Sequence, residues 1–246
     1  MQKGLHKDFA MKRILSLMRA AVDKYNMIDD GDRIAVGVSG GKDSLVLLYA
    51  LARLRDFYPK RFSVVAITLD YQFDGVAGDF SEIEHLCAEL QVEYVVKCTN
   101  LWEVIFVTRQ EKNPCSLCAK MRRGILHDTA KEHGCNKIAL GHHLDDAAET
   151  FMMNLLRGGQ IGCFSPVSYL SNKDLYLIRP LVFAFEKEVA AAARRTELPI
   201  VKSKCPADKV TERQNVKELL ENLEKDYPAA RKKIVGALER SGIDGW

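Results

Sequence analysis

Residues Gly37-Val38-Ser39-Gly40-Gly41-Lys42-Asp43-Ser44 bring two hydroxyls, a pair of adjacent glycines, a cation and a carboxylate into one short stretch. Those are groups for handling a phosphate. The stretch follows Arg33-Ile34-Ala35-Val36, an apolar run suited to a strand buried on both faces. It precedes Leu45-Val46-Leu47-Leu48-Tyr49-Ala50-Leu51, which is rich in helix formers. A strand therefore enters a Ser/Gly turn that opens a helix. The first N–H groups of such a helix lack intrahelical partners, and its dipole adds partial positive charge there. Gly40 and Gly41 let the main chain approach an anion closely, and Lys42 brings a full charge. The expected ligand is a nucleotide phosphate. A Walker A loop would need Gly where Val36 stands and Ser or Thr where Asp43 stands, so that reading fails.

A second group is Gly141-His142-His143-Leu144-Asp145-Asp146-Ala147-Ala148-Glu149-Thr150, which ends the apolar segment Lys137–Gly141. Asp145 or Asp146 could cap the helix that continues to Arg157. Capping does not account for two His, nor for Asp146 and Glu149 three residues apart on one helical face. Mg²⁺ neutralisation, phosphate orientation and substrate contact are the roles open to this segment. The third group is Pro114-Cys115-Ser116-Leu117-Cys118, leading into Lys120, Arg122 and Arg123. Half a zinc site, a redox pair or two buried thiols would each explain it, and no second Cys-x-x-Cys is present to complete a closed zinc site. Cys87 and Cys135 read as packing residues, while Cys98 and Cys163 stay open as ligands. Cys205 is followed by Pro206, an ending found in iron–sulfur ligand sets.

The elements that must position these groups follow from periodicity. Met11, Ile14, Leu15, Met18, Ala21, Val22 and Tyr25 form one stripe of an amphipathic helix over 8–25. Strands are expected at 33–36, 63–69, 92–97 and 137–141, with helices between them. That alternation predicts an α/β fold with a doubly wound, mostly parallel sheet. In such sheets ligands bind at the carboxyl ends of the strands, which places Ser39, Asp70, Cys98 and His142 on one rim. Helices are also expected over 186–195, 210–226 and 229–240. Three parts result: an N-terminal helical segment, 1–30; a nucleotide-binding domain, 31–205, with the Cys-x-x-Cys helix inserted; and a C-terminal helical extension, 206–246. The last offers an exposed amphipathic face or a dimer contact.

Composition narrows the field. The chain has 246 residues, 47% of them hydrophobic, with 36 Lys+Arg against 33 Asp+Glu, a net +3. No apolar run approaches a membrane span, no signal-peptide block is present, and a cytoplasmic location is expected. Seven Cys in that setting should be reduced. Between Arg109 and Lys137, seven Lys/Arg face three Asp/Glu, enough local charge to meet nucleic-acid phosphates, with Arg122 and Arg123 the candidate contacts.

Ser39 to Ser44 resembles the PP-loop of ATP pyrophosphatases, which cleave ATP between the α- and β-phosphates. Cys115 and Cys118 before Arg122-Arg123-Gly124-Ile125-Leu126, the Lys137–Asp146 segment and Ile178-Arg179-Pro180-Leu181 then occur in the order seen in the tRNA 2-thiocytidine synthetase family. The resemblance covers residues 10–215. It implies an adenine nucleotide α-hydrolase-like fold, ATP and Mg²⁺, and a 4Fe–4S cluster on Cys115, Cys118 and, by position, Cys205. It implies Ser39, Gly40, Gly41, Lys42, Asp43, Ser44, Asp70, Gly141 and His142 at the nucleotide, with Lys42 and Asp43 catalytic. Asp43, Asp145 and Asp146 would hold Mg²⁺ or orient phosphates. The implied reaction is thiolation of a tRNA pyrimidine, with cytidine 32 of the anticodon loop the expected base. A sulfur donor such as a cysteine desulfurase is the expected partner, alongside a homodimer. In that route the base oxygen attacks the α-phosphate, pyrophosphate leaves, sulfide brought by the cluster attacks the activated carbon, and AMP departs. A lysidine-type modifier would share the loop and the His/Asp segment yet have no use for Cys115 and Cys118. A 2-thiouridine-forming enzyme competes more closely, and a non-enzymatic ATP-binding regulator with a zinc or redox Cys-x-x-Cys competes from outside catalysis.

Overall fold

The computed structural model describes residues 2–109, 114–201, 205 and 212–246. Strand β1 (Asp32–Gly37) lies inside a six-stranded sheet with β2 (Phe62–Asp70) on one side and β4 (Lys137–Ala139) on the other. The spatial order is β3-β2-β1-β4-β6-β5, with β3 at Glu93–Cys98, β5 at Val167–Leu170 and β6 at Leu175–Ile178. All neighbouring pairs are parallel except β5 and β6, a hairpin at one edge. The doubly wound α/β sheet expected from the alternation is therefore present, with the antiparallel hairpin an addition. Strand order reverses between β1 and β4, and the crevice outside their carboxyl ends is where such sheets take ligands.

Side chains of β1 point alternately to the two faces, and two apolar layers result. Ile34 and Val36 join Val64 and Ala66 on one face, under α1 (Gln2–Lys24), α2 (Lys42–Arg55), α3 (Ser81–Glu89), α5 (Leu144–Gly158) and α6 (Glu186–Arg195). Ala35 joins Val65, Ile67 and Ile138 on the other, under α4 (Pro114–Glu132) through Leu126 and Ala130. Helix α2 is buried at every residue from Ser44 to Ala52, as an apolar-all-round sequence requires. Each of its fully buried leucines contributes about 1.5–3 kcal/mol over an exposed one. This rigid helix holds the phosphate loop at its N-terminus. The expected stripe of α1 is buried at Met11, Ile14, Met18, Ala21 and Val22.

Helices α7 (Glu212–Asp226) and α8 (Ala230–Ser241) pack on α5, and Val216, Leu220, Val235, Leu238 and Trp246 enter the larger core layer. The C-terminal helices thus cover the carboxyl rim beside α5. On the opposite layer, a Cβ at Gly37 would lie 2.9 Å from Leu126 Cδ2, so α4 rests against the end of β1 at a place where only glycine leaves room.

Candidate active site

The turn after β1 is a hydroxyl-braced cradle. Ser44 Oγ donates to Gly41 O at 2.9 Å and accepts from Ser39 N at 3.2 Å, and the two seryl oxygens lie 3.3 Å apart. Gly40 has φ +80°, a region that side chains resist. Val201 N donates to Gly40 O at 3.0 Å, and a Cβ on Gly40 would lie 3.0 Å from Val201 Cβ. Gly141 approaches as closely from the other side: its Cβ would stand 3.1 Å from the carbonyl carbon and oxygen of Asp43. Backbone from three parts of the chain therefore meets around residues 40–44.

Above the cradle lies a cleft of about 200 Å³ lined by Lys42, Asp43, His143, Asp146, Glu149, Glu186 and, from α7, Arg213, Gln214 and Lys217. Lys42 Nζ sits 3.1 Å from Glu186 Oε1 and 3.1 Å from Asp43 Oδ1. Burial opposes its charge, but Asp43 and Glu186 more than offset that and raise its pKa. Lys217 Nζ donates to Glu186 Oε2 at 2.7 Å. Burial works against the Glu186 carboxylate too, yet its bonds to Lys217 and Lys42 draw its pKa down to about 2. Arg213 Nη1 is 3.3 Å from Asp146 Oδ1, and its Nε is 3.8 Å from Glu149 Oε2. Glu149 is nearly fully buried, and burial with Asp146 nearby pushes its pKa up to about 7. Asp43 Oδ1 is buried with no hydrogen bond, its contact with Lys42 being one of charge alone. His143 Nε2 lies 3.9 Å from it.

The His/Asp segment divides between cleft and interior. His143, rather than either Asp, caps α5: its Nδ1 accepts from Asp146 N at 3.3 Å while Asp146 Oδ2 accepts from His143 N at 2.9 Å. Asp146 keeps its other oxygen at the cleft. Asp145 lies beneath, accepting from Glu186 N at 2.6 Å and facing Arg231 Nε at 3.3 Å. His142 packs its ring on Phe164, 4.9 Å between centroids, with Arg179 on the same ring. Burial, reinforced by Arg179, lowers its pKa to about 4, so it is neutral. Asp70 accepts backbone N–H from Gln72 at 3.0 Å and Gly78 at 3.1 Å and so ties down the loop after β2.

The third group assembles at the same rim. Cys118 is within electrostatic reach of both Cys115 and Cys205. Cys115 is exposed and the other two are half-buried. Tyr71, just past β2, lies within electrostatic reach of Cys118 and Arg122. Burial raises the Cys118 pKa against the opposing pull of Arg122 and Tyr71. Among the described residues no three His, Cys, Asp or Glu converge tightly enough for a single metal ion, whereas a tetrahedral zinc would hold its sulfurs within about 4 Å of one another. A multi-iron cluster takes each thiolate on a separate iron and so accepts sulfurs set further apart than one zinc does. Cys98 is exposed at the end of β3. Cys163 is a packing thiol: its Sγ lies 3.4 Å from Ala147 O, and burial raises its pKa to about 12. Cys87 and Cys135 are buried in the two core layers, as their sequence contexts suggested.

Nothing in the sequence pattern singles out Glu186, Arg213 or Lys217. Each sits on an ordinary amphipathic helix far along the chain from Lys42, and only the packing of α6 and α7 against the rim brings them back to the loop.

A family model described as a PP-loop domain matches residues 11–223. The chain is 38% identical over 238 residues to a tRNA-cytidine(32) 2-sulfurtransferase of Citrifermentans bemidjiense, covering 96% of this chain and 92% of that one. A protein of the same name from Geotalea daltonii is 39% identical over 240 residues, covering 96% and 94%. Among solved structures, the U34-tRNA thiolase NcsA of Methanococcus maripaludis, with its 4Fe–4S cluster, superposes at a TM-score of 0.76 with 29% identity, covering 95% of this chain and 79% of that one.

Proposed function

The chain belongs to the PP-loop family and, within it, to the tRNA-cytidine(32) 2-sulfurtransferases, and from that premise we propose how its residues carry out ATP-dependent tRNA thiolation. The base is cytidine 32, whose O2 attacks the α-phosphorus of ATP. The bond from that phosphorus to the bridging oxygen breaks, pyrophosphate leaves, and O2 becomes part of an AMP ester. A sulfur nucleophile then attacks C2, the C2–O2 bond breaks, and AMP departs with the former base oxygen.

Charge develops on the phosphates, so catalysis is mainly positioning and electrostatic stabilisation. Lys42 and the free N–H groups opening α2 face the leaving pyrophosphate, with Arg213 and Lys217 supplying further positive charge from α7. Asp43 fits Mg²⁺: its Oδ1 is buried and without a hydrogen bond, and a hard cation prefers such an oxygen. Asp146 is the second acidic group open to the cleft, and Asp145 supports both from below by pinning the first turn of α6. Cys115, Cys118 and Cys205 would hold the 4Fe–4S cluster, which supplies, when bound, an iron with an open position for the transferred sulfur. Arg122 lies within electrostatic reach of Cys118 and, with Arg123, would face RNA phosphate.

The observation that carries this assignment is the closeness in sequence of a phosphate-loop contact, Val201, and a candidate cluster ligand, Cys205. Val201 N donates to Gly40 O at 3.0 Å, and Cys205, four positions on in the sequence, lies within electrostatic reach of Cys118. Two described residues four positions apart in the sequence thus place one contact at the phosphate loop and one thiol near the Cys-x-x-Cys pair. A sulfur donor of the cysteine desulfurase class, a second copy of the chain and a cytoplasmic setting belong to the same reading; no helix among the described residues is long and apolar enough to cross a membrane.

Cys115→Ala, Cys118→Ala and Cys205→Ala test it in anaerobically purified protein. Each should lose iron and thiolation of cytidine 32 while binding an ATP analogue within about twofold of the parent. Cys98→Ala and Cys163→Ala should retain both. Iron and thiolation surviving in Cys205→Ala would sink the ligand assignment.

A further inference from the structure

The loops after β2 and β3 carry aromatic side chains that neither the core nor the reaction uses. Tyr71 and Phe73 stack with centroids 5.4 Å apart and planes 7° from parallel. Phe73 meets Trp102 edge-on at 5.3 Å, and Trp102 stacks on Phe106 at 4.6 Å. All four rings are half-buried, and none belongs to either apolar layer. Phe73 opens a short 3₁₀ turn and Phe106 lies in a π-helical stretch, Glu103–Thr108; these two segments pack on each other, and the second packs on α4. The row of rings starts near the thiols, Tyr71 lying within electrostatic reach of Cys118. Arg109, Lys120, Arg122 and Arg123, on the same elements, are all exposed.

Rings packed in a row inside a fold are ordinarily covered, because each contributes most when removed from water. Rings left half in solvent, beside four exposed cations and a sulfur-transfer site, have the composition of a surface for unpaired nucleic acid. Every base has a π-face, and stacking on aromatic side chains tolerates sequence, while Arg and Lys take the backbone. We propose that Tyr71, Phe73, Trp102 and Phe106 form a stacking platform for unpaired anticodon-loop bases of the tRNA, with Arg109, Lys120, Arg122 and Arg123 holding the flanking phosphates. This rests on the tRNA thiolation reading. It adds that the enzyme recognises single-stranded bases next to the cluster rather than the paired stem.

Trp102 reports directly on this surface. The chain has two tryptophans, and the other, Trp246, is buried with its Nε1 bonded to Phe164 O at 2.8 Å. Cluster-loaded protein, and the same protein carrying Trp246→Phe, is titrated with an anticodon stem-loop and with a continuous duplex containing the same stem. Filter binding is measured in parallel. The stem-loop should quench Trp102 emission at the concentrations that give half-maximal binding, and the duplex should not. Phe73→Ala with Trp102→Ala should weaken stem-loop binding about 5- to 100-fold. Phe73→Leu with Trp102→Leu, which keeps apolar bulk, should weaken it similarly without changing the melting temperature. A stem-loop that binds without quenching overturns the platform and leaves the thiolation reading intact. Quenching by the sulfur donor but not by RNA also overturns it. Failure of tRNA and stem-loop to bind at all would remove both.

Discussion

Glu186 lines the cleft beside Lys42 and Lys217, and if ATP phosphates bind those cations, replacing it with Gln should make the protein less stable and ATP binding tighter. Its carboxylate accepts from Lys217 at 2.7 Å and contacts Lys42 at 3.1 Å. A fall from its ordinary 4.5 to about 2 corresponds to roughly 3 kcal/mol at 1.36 kcal/mol per pH unit. The side chain keeps 28% of its surface in water, so screening reduces the useful part to about 1–2 kcal/mol. Since the pKa is depressed, that contribution is present above pH 4.5 and is lost as pH falls toward 2. At neutral pH, Glu186→Gln should therefore lower Tm by about 2–8 °C. The triphosphate competes for the same two ammonium groups. Removing its rival should lower the Kd of a non-hydrolysable ATP analogue about 5- to 30-fold. Calorimetric titration with Mg²⁺ present reads the affinity, and a differential scan reads Tm. The affinity gain should shrink in about 1 M salt, where the Debye length falls to about 3 Å. Weaker analogue binding together with the lower Tm would refute the competition, because it would mean that Glu186 orients Lys42 for the nucleotide.

Two further outcomes test other parts of the site. Gly40→Ala sets a side chain at φ +80° and 3.0 Å from Val201 Cβ, costing about 1–2 kcal/mol for the backbone alone. Analogue affinity should fall by more than about tenfold and iron retention should drop with it, since Val201, bonded to Gly40, lies four positions before Cys205 in the sequence; intact iron content in a folded Gly40→Ala protein would count against coupling between the loop and that ligand. Glu149 has a pKa raised from 4.5 to about 7 by burial, so the native state binds its proton more tightly than the unfolded chain does. Stability is therefore lost as pH rises from 4.5 to 7, and Glu149→Gln should flatten that slope and raise Tm by a few degrees at pH 8, worth about 1–3 kcal/mol. An unchanged pH–Tm profile would show that Arg213 already neutralises the carboxylate.

What could be read from the residues alone followed from local signals. The loop at Ser39–Ser44 announces itself because strand, glycines, cation and helix are contiguous, and the parallel sheet follows from strand–helix alternation. The β5–β6 hairpin did not, since each strand is four residues long, too short for a period-two pattern to stand out. Adjacency misleads in the His/Asp segment. His142 and His143 are neighbours, yet the extended backbone at the start of α5 turns one ring to Phe164 and the other to the cleft. Asp145 and Asp146 separate in the same way, by about 100° around a helix. Arg213 and Lys217 carry no mark of their role in spacing, because a cation one turn from another on a surface helix is ordinary.

The cleft is nearly self-neutral: Lys42, Arg213 and Lys217 are matched by Asp43, Asp146, Glu149 and Glu186. Glu186, bound to Lys42 and Lys217, thus acts as a placeholder, displaced only by an entrant carrying several negative charges. Once the triphosphate has been split, each fragment is a weaker contender than the whole, and the returning carboxylate evicts it. Tight capture and quick exit then pull against each other at Glu186, so the variant that grips ATP best should finish the fewest turnovers.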